Sequence, residues 1–195
     1  LNYFLPPFEA AVREAGVKLV MASYNEVDGI PVHAHRWLLQ DVLRDRFGFK
    51  GVTMSDYHAI TRMISDHFTA ATRTEAAFKA MTGGVDVELS EPPRYTYPTL
   101  VEQVRSGIIP ERILDESVRR ILRLKFETGL FENPYVDVEK VDEIINNENH
   151  RAIALEAAHK SIVLLKNENH TLPLDRDRIN TIAVIGPNAD TCQFG

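Results

Sequence analysis

Cysteine is almost absent from this sequence: Cys192 is the single one in 195 residues, which excludes an intrachain disulfide and any zinc site built on cysteine pairs. Long basic runs are lacking as well. With a formal net charge of −6, the chain has no clustered Lys and Arg with which to hold a nucleic acid or an anionic membrane as its main partner. No apolar run is long enough to span a bilayer and no signal-like segment is present, which leaves periplasmic, secreted and cytoplasmic locations open. The glycine-rich turns of nucleotide binders are lacking too: IAVIGPNAD has neither a G-x-G-x-x-G pattern nor a P-loop Lys, so its Gly186 and Pro187 read as the end of a strand. What remains is the balance of a globular protein, 44% hydrophobic and 26% charged, with enough apolar residues for a sizeable core.

The first half repeats one theme. A helix opening at Pro6-Pro7 leads to the strand KLVMASY, HRWLLQDVLRDRF leads as an amphipathic helix to GVTMS, and TRTEAAFKAMTGG leads to VDVEL, followed by the helix YPTLVEQVRSG. Helix and strand alternating at this interval predict an α/β fold with a parallel sheet. Three rounds, each strand followed by polar residues, suit the closing part of a (β/α)8 barrel, with a doubly wound open sheet as the alternative on pattern alone. Pro110 then opens the long helix PERILDESVRRILRLKFETGLF, stopped at Gly129, whose charged face reads as solvated with i,i+4 pairs. Trp37 reads as helix core. The acidic segment ENPYVDVEKVDEIINNENH reads as a linker, and a second α/β domain begins near residue 150 with a helix passing into the strand SIVLLKN and, later, the strand INTIAVIGPNAD.

Chemistry is expected where strands end. In a parallel barrel the loops at the carboxyl ends of the strands converge on one face. There stand Met21, Ser23, Tyr24 and Asn25 after the first strand, Asp56, Tyr57 and His58 after the second, and Asp86 and Glu88 within the third. Asp56 is the sharpest candidate. A carboxylate at a strand end beside an aromatic ring can attack an anomeric carbon while the ring packs on a sugar face, although an Asp after a strand is also a common helix N-cap. His33-Ala34-His35 has the H-x-H spacing of a metal-dependent hydrolase, but it lies in a loop opened by Pro31 and lacks a further ligand cluster. An Asp-nucleophile phosphatase would want a second Asp where His58 stands.

The segments NYFLPPFEAAVREAG, MASYNEVDGIPVHAHRWLLQDVLRDRFGFKGVTMSDY, GGVDVEL, SIVLLKNENHTLPL and IAVIGPNAD, in this order, resemble glycoside hydrolase family 3 over essentially the whole chain. The resemblance implies a retaining, exo-acting β-glucosidase or β-xylosidase, without a cofactor, in which a (β/α)8 barrel is followed by an α/β sandwich and the active site lies between them. It implies Asp56 as nucleophile and Met21, Tyr24, Tyr57 and His58 as substrate contacts. Tyr57 departs from the Trp that is common at that position, which bears on the adjoining subsite. The acid/base Glu would come from the second domain beyond residue 195, and further sugar-binding groups from strands before Leu1.

The expected organisation is therefore residues 1–130 as the last part of the barrel, 131–150 as linker and 151–195 as the start of an incomplete sandwich. The expected partner is a β-linked glucoside or xyloside, together with the remaining barrel and sandwich segments and a second copy of the chain as an open possibility. The alternatives are a non-catalytic or partner-dependent fragment, or a metal-dependent hydrolase using His33 and His35.

Overall fold

A computed structural model describes residues 3–191. The chain divides into two compact units, Leu1–Tyr135 and Val136–Gly195, and each is described separately.

In the first unit helix α1 (Leu5–Arg13) starts on its prolines, whose fixed φ suits a first helical turn, and leads to β1 (Leu19–Met21). A two-residue hairpin follows, β2 (Glu26–Val27) and β3 (Ile30–Pro31), paired antiparallel. Its turn, Asp28-Gly29, has φ of 51° and 76°, the left-handed pair that a tight hairpin demands and that Asp-Gly supplies cheaply. After a 3₁₀ turn at Val32–Ala34 comes Trp37–Arg46, which is a π-helix rather than the amphipathic α-helix expected. The wider turn, seen in the Phe47 N–H donating to the Val42 carbonyl at 2.9 Å, puts Leu39, Val42, Leu43 and also Arg44 on the buried side. Trp37, at its start, is about half exposed and not core.

Strand β4 (Val52–Met54) pairs parallel with β1, Met21 opposite Met54. The expected third strand, VDVEL, is reduced to a single parallel bridge between Val87 and Met54. That bridge is made by Val87 N–H donating to the Thr53 carbonyl and Ser55 N–H donating to the Val87 carbonyl; beyond it His58 N–H reaches the Leu89 carbonyl, outside any regular ladder. Helix α2 (Ala59–Ser65), which the periodicity did not disclose, follows β4 directly. Helix α3 (Arg73–Gly83) opens with the Thr72 hydroxyl accepting from Glu75 N–H, while the Glu75 carboxylate accepts from Ala71 N–H. Helices α4 (Leu100–Arg105) and α5 (Glu111–Glu127) complete the unit.

The core lies between the strands and this helical layer. Val32, Leu39, Val42, Leu43, Phe47, Phe49, Ile60, Met63 and Val85 form one cluster, and Ala77, Met81, Leu100 and Ile109 a second. Side chains such as Ile60 and Met63, with 1% and 0% of their surface exposed, contribute about 2 kcal/mol each on burial.

In the second unit, the segment expected as a linker carries helix α6 (Val141–Ile144), and α7 (Glu148–Ser161) begins where Asn147 accepts from His150 N–H. No strand forms over SIVLLKN or INTIAVIGPNAD among the described residues. A strand is held by its neighbour, and these apolar runs have no paired neighbour here: Leu165 and Ile185 are 92% and 90% exposed. Cys192 lies outside the described residues.

Candidate active site at the carboxyl end of the parallel strands

Asp56 stands two residues beyond β4, half-buried. One backbone amide holds its carboxylate: Oδ1 accepts from the Tyr57 N–H at 2.7 Å. The Tyr24 phenol lies beside the same carboxylate and donates its proton to the Tyr57 carbonyl at 2.6 Å, so one phenol ties the end of β1 to the end of β4. Burial, and then the neighbouring Asp56, push the Tyr24 phenol above its ordinary value, which keeps it protonated and a donor at neutral pH. The Arg62 guanidinium lies over the Tyr24 ring, 4.3 Å from its centre. Among the described residues, no backbone amide binds Asp56 Oδ2.

Asp56 does not cap helix α2. The helix N-cap is His58, in the left-handed region at φ 58° and without a side-chain cap, so Asp56 is spared for another task. The Asp56 N–H donates to His33 Nε2 at 3.2 Å. His33 is 1% exposed and titrates at about 4 rather than 6.5, chiefly because burial disfavours its charged form, with the Asp56 carboxylate opposing. The H-x-H pair therefore does not converge on one point: His33 Nε2 is occupied by a backbone amide, while His35 Nδ1 accepts from Leu38 N–H at 3.4 Å. Among the described residues no group of three His, Cys, Asp or Glu could hold a metal ion.

The other expected contacts gather at the same end. Met21 closes β1 and is half exposed, and Tyr57 projects with a similar exposure. The Tyr57 ring rests on the His58 ring at 3.8 Å, and its phenol is raised by a hydrogen bond with Glu91. His58 is itself held, with Nδ1 3.0 Å from the Ser90 hydroxyl and Nε2 3.6 Å from Glu91. It serves as a backing for Tyr57 more than as a free group. Thus Met21, Tyr24, Asp56, Tyr57 and His58 stand on two adjacent strand ends.

Asp86 and Glu88 are committed elsewhere. Asp86 is buried between Arg44, at 2.8 Å, and Arg120, at 2.7 Å, and also accepts from Thr53 N–H. Arg120 belongs to the face of α5 that reads from sequence as solvated; it turns inward because Asp86 is there. Glu88 accepts from the N–H groups of Thr96 and Tyr97 and from the Thr96 hydroxyl, all at 2.9 Å. Neither carboxylate is available as an acid beside Asp56. A separate cleft lined by Lys18, Phe49, Arg120 and Glu127 opens at the amino-terminal ends of β1 and β4 and does not reach Asp56.

Residues 2–124 match the family model described as the glycosyl hydrolase family 3 N terminal domain, and residues 162–195 that of the glycosyl hydrolase family 3 C-terminal domain. A β-xylosidase of Formosa agariphila is 42% identical over 193 residues, covering 95% of this chain and 26% of that protein. A periplasmic β-glucosidase of Salmonella typhimurium is 40% identical over 195 residues, covering 97% of this chain and 25% of that protein. The solved structure of a β-glucosidase from Listeria innocua in complex with glucose superposes with a TM-score of 0.74 at 40% identity, covering 87% of this chain and 23% of that one. The chain thus spans about a quarter of the length of the curated relatives it matches.

Proposed function

The chain belongs to glycosyl hydrolase family 3, and from that membership we propose that the protein is a retaining, exo-acting β-glycosidase that removes terminal, non-reducing β-D-glucosyl or β-D-xylosyl residues. Asp56 is the nucleophile. Its carboxylate attacks the anomeric carbon as the bond to the leaving oxygen breaks, giving a glycosyl ester; an acid supplied from outside this chain protonates that oxygen and then, as base, activates the water that frees the sugar. Tyr24 holds the carboxylate, Met21 lines the pocket, and the Tyr57 ring, backed by His58, stacks on the sugar.

One observation supports this reading: of the three carboxylates Asp56, Asp86 and Glu88, among the described residues Asp56 alone accepts just its neighbour's amide, with the Tyr24 phenol beside it, whereas Asp86 and Glu88 are saturated by arginines and amides. The same reading assigns residues 1–130 to the last part of a (β/α)8 barrel, 131–150 to a linker and 151–195 to the start of an α/β sandwich. The experiment is to incubate an active preparation with activated 2-deoxy-2-fluoro glucosides and xylosides and to map the labelled peptide by mass. The expected result is an ester on the peptide containing Asp56. A folded, active protein labelled elsewhere would overturn it.

A further inference from the structure

The parallel ladder between β1 and β4 can be followed rung by rung. Val52 N–H donates to the Lys18 carbonyl at 3.0 Å, and Ala22 N–H donates to the Met54 carbonyl at 2.8 Å. In a regular parallel pair, where the donors on one strand recur at every second residue, the next rung would be Asp56 N–H to the Ala22 carbonyl. That rung is not made. Asp56 N–H goes instead to His33 Nε2, and the buried His33 ring lies beside the backbone of Ala22. Because Nε2 accepts, the proton of the neutral ring is on Nδ1. An imidazole therefore stands where one hydrogen bond of about 2.9 Å would otherwise close the two strands.

His33 is held to this place from its own side as well. Helix α3 crosses behind it so closely that a Cβ on Gly83 would lie 2.9 Å from the His33 carbonyl oxygen. Pro31 and Val32 before it are buried, and the β2–β3 hairpin fixes the approach of the chain. The ring is a wedge on a rigid seat, not a loop side chain that drifts in.

We propose that His33 is a positioning residue for the glycosylation step: by replacing the last rung between Ala22 and Asp56 it splays the two strand ends and fixes the Asp56 backbone at the angle that presents its carboxylate. The proposal rests on Asp56 being the nucleophile. Closing the rung directly would draw Asp56 toward β1 and alter both the Tyr57 amide bond that holds its carboxylate and the bond from the Tyr24 hydroxyl to the Tyr57 carbonyl that fixes that amide. His33 touches neither the sugar nor the reacting atoms, so its removal should act on the rate of attack and leave ground-state binding nearly intact.

The test compares His33→Gln with His33→Leu in an active preparation, reading the first-order rate of labelling of Asp56 by the activated fluoro glycoside and, separately, the Kd of a free monosaccharide. Gln carries an acceptor oxygen near the place of Nε2 and an amide donor besides, so it should label within a few-fold of the parent, whereas Leu should label roughly 100-fold more slowly with little change in Kd. If His33→Leu does not fold, His33→Asn replaces it, since its shorter amide oxygen cannot reach the Asp56 N–H; slow labelling of that variant supports the wedge and parental labelling refutes it. Equal rates for the Gln and apolar variants, or parallel losses in rate, binding and melting temperature, would make His33 merely structural and overturn the inference. A label found on a residue other than Asp56 in the parent protein would instead sink the assignment of the nucleophile, which the mass map distinguishes from failure of the wedge.

Discussion

Asp56 and Asp86 sit on neighbouring segments of one parallel layer, yet they occupy opposite electrostatic worlds. Around Asp86 everything is closed: two guanidiniums, a backbone amide and almost no exposure. Around Asp56 the carboxylate meets one amide and lies beside one phenol, and the residue is only partly buried. The first arrangement removes a charge from chemistry and uses it to pin α5 and the π-helix to the sheet. The second holds a charge in orientation without neutralising it, which is what a nucleophile needs. Two acids of the same type, one just after an apolar run and one within it, are separated by the arginines that reach one and not the other.

The sharpest way to break that contrast is Asp56→Asn. The amide keeps the shape and the Oδ1 acceptor but cannot form a glycosyl ester, so turnover of an aryl glycoside should fall roughly 10⁴-fold or more while the melting temperature stays put. Normal turnover would remove Asp56 from the mechanism. Asp86→Ala should do the reverse. Leaving Arg44 and Arg120 buried without their partner should cost about 3–5 kcal/mol in urea unfolding, and any activity lost should track the fraction unfolded. A stable Asp86→Ala variant with altered substrate preference would mean that the closed cluster belongs to the site after all.

The helix and strand alternation is legible in the sequence, because proline and apolar period coincide at α1 and α5 and a glycine stop ends α3, and so is Asp56, because a charge follows Val52-Thr53-Met54-Ser55 abruptly. Other features were hidden for physical reasons. Arg120 sits in a charged helix where periodicity marks only the apolar stripe, and nothing local says that one arginine of four will meet a buried acid. The H-x-H spacing points to His33 as a metal ligand, whereas a ring that substitutes for a ladder rung has no pattern of its own. The strands expected in VDVEL, SIVLLKN and INTIAVIGPNAD failed differently: their propensity is real, but pairing is decided by distant segments, and only Val87 among them has a bridge. The Asp28-Gly29 dipeptide between Glu26-Val27 and Ile30-Pro31 is, by contrast, a local hairpin signal that the structure bears out.

His33 sharpens the comparison through pH. Its folded-state value of about 4 lies below the 6.5 of an unhindered imidazole, so between those values the unfolded chain binds the extra proton. Stability from keeping this ring neutral is then fully present above pH 6.5, falls as pH drops through 6.5 toward 4, and amounts to about 3 kcal/mol in all. The groups facing it are Asp56 and His67, the latter paired with Glu26 at 2.6 Å. Urea unfolding at pH 7.5, 5.5 and 4 should show this loss in the parent and a flatter profile in His33→Gln. Identical profiles would mean that the ring is solvated and charged in the folded protein.

The smallest expected effect belongs to Glu88, the third acid of the layer. Its two oxygens receive the amides of Thr96 and Tyr97 at the start of the 3₁₀ turn Tyr97–Thr99 that runs into α4, a place where backbone donors are unsatisfied and the helix end is positive. Glu88→Gln retains one acceptor oxygen but turns an amide donor toward those amides and removes the charge. The loss should be about 1–2 kcal/mol in urea unfolding, smaller than for Asp86 because no buried cation is stranded. Aryl glycoside turnover per folded molecule should be unchanged, since the carboxylate is spent on closing a helix. A fall in that turnover at unchanged stability would show that Glu88 exchanges its amide partners for the reacting sugar, and the division between one open acid and two closed ones would have to be redrawn.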